Sequence, residues 1–370
     1  MNQSKLRILS LDGGGIRGIV PATVLQYVEE KIIEKTKNPN ARLADYFDLL
    51  VGTSTGGILA CYCLIPNEEN EAISSKYKAE DALKIYTEKG NEIFNQAKRS
   101  SWFGIRQVFN ATRYSAGNLE AIFYSTFGDL KYHELLKPCV LTSYNMLNGK
   151  AVFFNTRERL GTKNRAFYVR DVVRSTSAAP TYFSPAEITN MATNEKMINL
   201  DGGVFANNPS MCAYAEARKT NFERLGLNCP KAKDMLLLSI GTGSMPIDLK
   251  REKKSRRWGI INWAKAVPKI MMDGDLDTVN YQMGMIFKSL GNKHQKNYKR
   301  VDVPEFLRFP KEGEKFNPPY DADMSNASAK NISALQRAGE QAIEYANKTK
   351  NNEYTLDDFI DKLIAQGKKE

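Results

Sequence analysis

Histidine is nearly absent from this chain: 370 residues contain two, His133 and His294. A Ser-His-Asp triad therefore has little to draw on. His133 sits in the helix-like KYHELL and His294 in the Lys/Asn-rich GNKHQKN, and neither has a supporting motif. Cysteine is sparse too, five in all, an odd number without metal-ligand spacing. No disulfide framework is expected, and a reducing compartment fits better. No run of about 18 apolar residues occurs, so any membrane contact is expected to be peripheral. The N-terminus, MNQSKLRILSLDGGG, enters an apolar strand without a basic n-region, h-region or cleavage site. A cytoplasmic or membrane-peripheral location is the expectation. No Pro/Gly/Ser linker and no internal repeat divides the chain. It reads as one α/β unit over 5–345, with long insertions, followed by a C-terminal helix and Lys-rich tail over 346–370.

The composition is globular, 42% hydrophobic and 26% charged, with net charge +11 and a pI near 9.2. That charge favours anionic partners, a membrane surface, nucleic acid or an acidic ligand, and by itself selects none. Apolar strand-like runs alternate with helical patterns. LRILSL precedes a helix from about Val20, FDLLVG leads into ILACYCLI, VFFNT precedes VRDVVRSTSAA, MINL ends at Asp201, and MLLLSI ends at GTG. The alternation predicts a mostly parallel sheet covered by helices on both faces. Residues 311–330 read as loop and Ala329–Ala346 as helix.

Gly52-Thr53-Ser54-Thr55-Gly56 is a G-x-S-x-G sequence with an apolar strand before it and an apolar helix after it, the context of a nucleophile elbow. Small residues let the chain turn sharply and expose the Ser54 hydroxyl at a helix N-terminus, where negative charge is stabilised. The bland alternative is a Gly-rich turn. A hydroxyl needs a base, and the better-placed candidate is Asp201, at a strand end before Gly202-Gly203. Partial burial beside Ser54 would raise its pKa from about 3.9 toward a useful value. Its alternative role is an Asx-turn or helix N-cap.

Asp12-Gly13-Gly14-Gly15-Ile16-Arg17-Gly18 follows the first strand and opens the first helix, so its N–H groups can cluster around an anion. It also fits G-x-G-x-x-G. A dinucleotide site would need an acidic ribose ligand near Glu30 or Glu34, and both read as helical surface. The competing use is an oxyanion hole, completed by the N–H of Thr55. Arg17 either adds positive charge or hydrogen-bonds the loop.

In order along the chain, DGGGIRG, GTSTGG, RSTSAAPTYF from Arg174 to Phe183, and DGG at 201–203 resemble the patatin-like phospholipases. FDLLVGTSTGG and MLLLSIGTG are similar to plant patatins, and Asn207-Asn208-Pro209 to bacterial relatives. The resemblance spans roughly residues 5 to 345. It implies a Ser54–Asp201 dyad without histidine, an oxyanion hole from Gly13, Gly14 and Gly15, and Arg17, Gly18, Gly202 and Gly203 in the supporting loops. It further implies metal-independent, cofactor-free hydrolysis of phospholipid or acylglycerol esters, with membrane lipid as partner and no nucleic acid. Oligomeric state is left open.

Other signals carry less. Asp273-Gly274-Asp275-Leu276-Asp277 begins like a calcium loop but holds Gly284 at the Glu position, so no metal is assigned. Between Lys250 and Arg300 stand thirteen Lys or Arg against four Asp or Glu, Lys253, Lys254, Arg256 and Arg257 among the basic residues, interleaved with Trp258 and Trp263. This is either a face for anionic lipid or a solvated basic surface. Trp102-Phe103 forms an apolar cluster that reads as a lid, a membrane loop or core. Cys61 and Cys63 read as buried packing residues.

Overall fold

Two hydrophobic cores form because the central strands are apolar on both sides. In the computed structural model, which describes residues 4–68, 74–94, 113–156, 166–244, 260–308, 318–321, 323–348 and 354–367, β1 (Leu6–Leu11) and β9 (Met235–Ile240) are buried at every position. Successive side chains of a strand point to opposite faces. Leu9 and Leu11 accordingly enter one core and Leu6 and Ile8 the other.

Counting helices of eight or more residues, α1 (Ile19–Thr36), α2 (Thr55–Tyr62), α3 (Ala79–Ile93), α4 (Ala116–Phe127) and α5 (Val169–Thr176) are followed by α6 (Ser210–Lys219) and α7 (Ile260–Lys288). The last two are α8 (Ala329–Asn347) and α9 (Leu356–Gly367). The first core is closed by α1 to α5, α8 and α9, and the second by α6 and α7. Helices on both faces are as expected from the alternating pattern.

The sheet runs parallel from β10 (Tyr298–Val301) through β9, β1 and β2 (Leu49–Gly52) to β3 (Cys139–Asn145). The sheet is thus mostly parallel, as the alternating pattern predicts, with an antiparallel margin beyond β3. β4 (Lys150–Asn155), β5 (Ala186–Thr189) and β6 (Lys196–Asp201) are all antiparallel to their neighbours. The physical reason is connection length: only four residues join β3 to β4, enough for a hairpin and too few for a parallel crossover. A two-stranded hairpin, β7 (Asn221–Phe222) with β8 (Leu227–Asn228), lies outside the main sheet. KYHELL forms a short 3₁₀ turn at Tyr132–Glu134, and the Ala329 helix lies where its pattern places it.

β3 extends past the end of β2. Its Leu141 pairs Gly52, whereas Ser143 pairs Asp201 and Asn145 pairs Asn199. β4 takes the other edge of β3 along Val140–Asn145. β2 and β6 must therefore share one edge, lying end to end from opposite directions, and the carboxyl end of β6 arrives at the carboxyl end of β2.

The same sheet margin carries a buried ion pair. Asp12, fully buried after β1, accepts two hydrogen bonds from the Arg300 guanidinium of β10, at 2.9 and 2.5 Å. Arg300 also reaches Ser239 and Asp302. Removing one partner of a buried pair leaves an uncompensated charge. Arg300→Met is thus expected to cost about 3–5 kcal/mol of unfolding free energy at neutral pH. Denaturant titration checks this, and a loss below about 1 kcal/mol, the scale of an exposed pair, would show that Asp12 does not need its partner.

Candidate active site

The turn after β2 is unusually tight. A Cβ on Gly52 would stand 2.5 Å from the Gly56 backbone, and one on Gly56 2.2 Å from the Leu11 carbonyl oxygen. Only glycines let the start of α2 pass this close to β1. The squeeze leaves Ser54 with φ 53° and ψ −124°, a backbone geometry that costs of order 1–3 kcal/mol outside glycine and needs external support. Support comes from its own N–H, which donates to Thr176 Oγ1 at 2.9 Å. Thr53 adds more, its hydroxyl 2.6 Å from both the Ala206 carbonyl and Thr142 Oγ1. Thr55 bonds the buried Tyr86 hydroxyl, and Gly18 leaves room for that pair, since a Cβ there would meet Thr55 Oγ1 at 2.1 Å.

Asp201 comes to this turn on β6. Its N–H donates to the Ala178 carbonyl, and its carboxylate accepts from the Gly203 N–H at 2.7 Å, capping the 3₁₀ turn Gly202–Val204. The same carboxylate is hydrogen-bonded to the Ser54 hydroxyl. Capping and pairing thus coexist. Burial pushes the Asp201 pKa up from 3.8 to about 7, against the opposing pull of the Ser54 and Gly203 hydrogen bonds. Gly202 lies against Thr142, and Gly203 against Asn207 and Met272.

The glycine loop is held from several sides. Gly13 donates its N–H to the Asn207 carbonyl at 3.0 Å, and its own carbonyl accepts from Thr242 Oγ1 at 2.8 Å. The Gly13 amide is therefore engaged, and what this residue offers is closeness, because a Cβ would meet Asn207 Oδ1 at 2.5 Å and Ser54 Cβ at 3.3 Å. Gly15 adopts φ +59° beneath the Met324 carbonyl. Arg17 is buried and donates to the carbonyls of Gly14 and Gly243. Among the described residues, the N–H groups of Gly14, Gly15 and Thr55 have no hydrogen-bond partner, and all three residues line one cavity.

That cavity, about 640 Å³, holds Ser54 and Asp201 and is walled by Ile58, Leu119, Phe183, Val204 and Met272, with Arg17 and Lys269 among its charged members. A size of roughly 300–1,000 Å³ with apolar walls and few convergent polar groups suits an organic ligand. Burial and the nearby Arg17 charge push the Lys269 pKa down. Neither histidine borders it.

Of the remaining candidates, Asp273 lines the cavity, whereas Glu30, Glu34, Cys61 and Cys63 do not. Glu30 pairs with Gln26 and Glu34 with Lys31 on the exposed side of α1, not where a ribose ligand would stand. The Asp273–Asp277 stretch is helical, inside α7, and no cluster of metal-ligating residues occurs among the described residues. Cys61 and Cys63 are buried beside Cys139. No described helix is long and apolar enough to cross a membrane. Trp102-Phe103 and the basic run with Lys253, Lys254, Arg256, Arg257 and Trp258 lie outside the described residues. Sequence reasoning missed Thr142, Thr176, Ala206, Asn207 and Arg300, which fix the site from distant parts of the chain.

The arrangement is that of an α/β protein with a serine at a strand-to-helix turn facing an apolar cavity. The chain belongs to the patatin-like phospholipases, whose family model matches residues 9–214, and membership supports lipid acyl hydrolase activity. Patatin-like protein 2 of Oryza sativa subsp. indica is 32% identical over 354 residues, 91% of this chain and 83% of its own. Patatin-T5 of Solanum tuberosum is 29% identical over 374 residues, 98% and 90% of the two chains. A potato relative named probable inactive patatin-3-Kuras 1 is 31% identical over 302 residues, 80% and 77% of the two. Among solved structures, VipD from Legionella pneumophila aligns over 91% of this chain and 67% of its own at 12% identity, with a TM-score of 0.38.

The raised Asp201 pKa has a stability consequence. Its folded value near 7 exceeds the ordinary 3.8, so between these values the native state holds a proton that the unfolded state has released, and stability falls as pH rises through that window. Asn keeps the shape and cannot ionise. Asp201→Asn is expected to be more stable than the native chain at pH 8, by up to about 4 kcal/mol, with the gap closing toward pH 4. Parallel denaturation at the two pH values checks it, and a variant no more stable at pH 8 would contradict the burial argument.

Proposed function

We propose that the chain cleaves fatty-acyl esters of phospholipid or acylglycerol through an acyl-enzyme on Ser54, with Asp201 as the base. The observation that carries this reading is the hydrogen bond between the Ser54 hydroxyl and a buried carboxylate poised near pH 7, inside an apolar cavity. Ionised Asp201 accepts the hydroxyl proton as Ser54 Oγ attacks the ester carbonyl. The charge that develops on the carbonyl oxygen is met by amides that need no reorganisation. We assign that role to the N–H groups of Gly14, Gly15 and Thr55, with Gly13 as the close-approach residue of the loop. Protonated Asp201 then delivers its proton to the leaving alkoxide. Water then gives a proton to Asp201 as its oxygen adds to the acyl carbon, and Asp201 returns that proton to Ser54 Oγ as the acyl–Oγ bond breaks, releasing the fatty acid and the free enzyme.

Family membership alone does not make a chain active, as the name of the potato relative, probable inactive patatin-3-Kuras 1, indicates. The reading is supported here by Ser54, Asp201, Gly14, Gly15 and Thr55 lining one cavity. The dinucleotide reading fares worse because Glu30 and Glu34, the acidic residues at the ribose spacing, pair with Gln26 and Lys31 on the exposed side of α1 and do not line the cavity.

Ser54→Ala is expected to leave a folded protein whose fatty-acid release from mixed-lipid vesicles, followed by mass spectrometry, falls by several orders of magnitude, since loss of the nucleophile costs about a million-fold in a serine hydrolase. His133→Ala and His294→Ala are expected to retain activity. Damage from either histidine change would replace the dyad with a triad.

A further inference from the structure

The N-terminal half of α7 presents an apolar stripe to solvent. Trp263, Val267, Ile270 and Met271 are 49%, 41%, 45% and 56% exposed, and at 100° per residue they fall within roughly a 100° arc. The opposite side of the helix is anchored, with Leu276, Val279, Met283 and Phe287 buried. Large apolar side chains usually reach the surface singly, and a contiguous set marks an interaction site.

The occupant follows from where the stripe leads. Met271 is exposed and also lines the cavity that contains Ser54, as do the neighbouring Lys269 and Met272. Whatever covers the stripe therefore lies at the cavity mouth. A protein partner there would stand between the cavity and its substrate, whereas a lipid surface would supply the substrate. Charge agrees: the sequence leading into α7 carries Lys250, Arg251, Lys253, Lys254, Arg256 and Arg257 against Glu252, a balance that attracts anionic headgroups.

We infer that this stripe is the surface by which the protein docks on a bilayer, with Met271 at the passage from membrane to Ser54. The inference rests on the lipid-hydrolase reading for its choice of occupant. Docking would bury the stripe at the headgroup and acyl-chain boundary, as interfacial amphipathic helices do.

The test separates docking from chemistry. Binding is measured by sedimentation with vesicles of phosphatidylcholine and phosphatidylglycerol, in a Ser54→Ala background that leaves the lipid intact. Turnover is measured with a soluble short-chain ester in the Ser54 protein. Val267→Ser combined with Ile270→Ser is expected to weaken vesicle binding on the order of tenfold or more, with short-chain turnover nearly that of the native chain. Equal sedimentation with and without the two changes would overturn the inference while leaving the Ser54 chemistry standing. Loss of short-chain turnover on Ser54→Ala, seen alone, would support only the chemistry. A dimer in sedimentation velocity that the double change dissociates would assign the stripe to a second copy and likewise overturn it. Should the double variant fail to fold, Trp102→Phe with Trp258→Phe leaves Trp263 as the sole tryptophan. Quenching of its emission by brominated phosphatidylcholine in the same vesicles is expected, and no quenching would overturn the proposal.

Discussion

β3 continues beyond the end of β2, and the hydrogen bonds it offers there are taken by β6 running the other way. This sharing of one strand edge is the constraint on which the site depends. In a uniformly parallel sheet, the strand-end carboxylate would belong to a strand lying beside β2. Here it comes from a strand facing β2 head on, so Asp201 and Ser54 end their strands toward each other. Thr142 of β3 sits at the junction, its hydroxyl against Thr53 and its backbone against Gly202. The Ser54 turn and the Asp201 turn are thereby braced against the same residue.

Two buried aspartates at this sheet margin have different partners. Asp12 is neutralised by Arg300, which grips both its oxygens. Asp201 receives the Gly203 N–H and the Ser54 hydroxyl. Burial raises both, Asp12 to about 6 against the pull of Arg300 and Asp201 to about 7, but the Asp12 oxygens are held by the guanidinium whereas Asp201 faces a hydroxyl whose proton it can accept. The difference in partners, more than the difference in burial, separates a structural carboxylate from the one assigned as base. The cost is stability, lost progressively as pH rises from about 4 to about 7, with the loss complete above that.

The parts of this architecture that are local were legible in the sequence. The G-x-S-x-G turn and the glycine loop announce themselves because tight turns need small residues at fixed spacing, and the central strands are largely apolar because both faces are buried. Strand direction was not legible. MINL and VFFNT look alike read either way, and only the short β3–β4 connection shows that the sheet reverses. The Gly13–Asn207 and Asp12–Arg300 contacts bridge residues far apart in the chain, beyond the reach of any local pattern. A missed but readable signal was the stripe on α7, since Trp263, Val267, Ile270 and Met271 recur at helical spacing. Counting charge from Lys250 to Arg300 as one block hid it.

The central claim is that Ser54 is activated by Asp201 without histidine. A fluorophosphonate probe reacts with a serine whose oxygen is made nucleophilic by a neighbouring base, and peptide mapping locates the adduct. The account predicts a single adduct on the Ser54 peptide, forming faster as pH rises through about 7 and reduced to background by Asp201→Asn. Labelling at another serine, or labelling of Ser54 at an undiminished rate in Asp201→Asn, would contradict it.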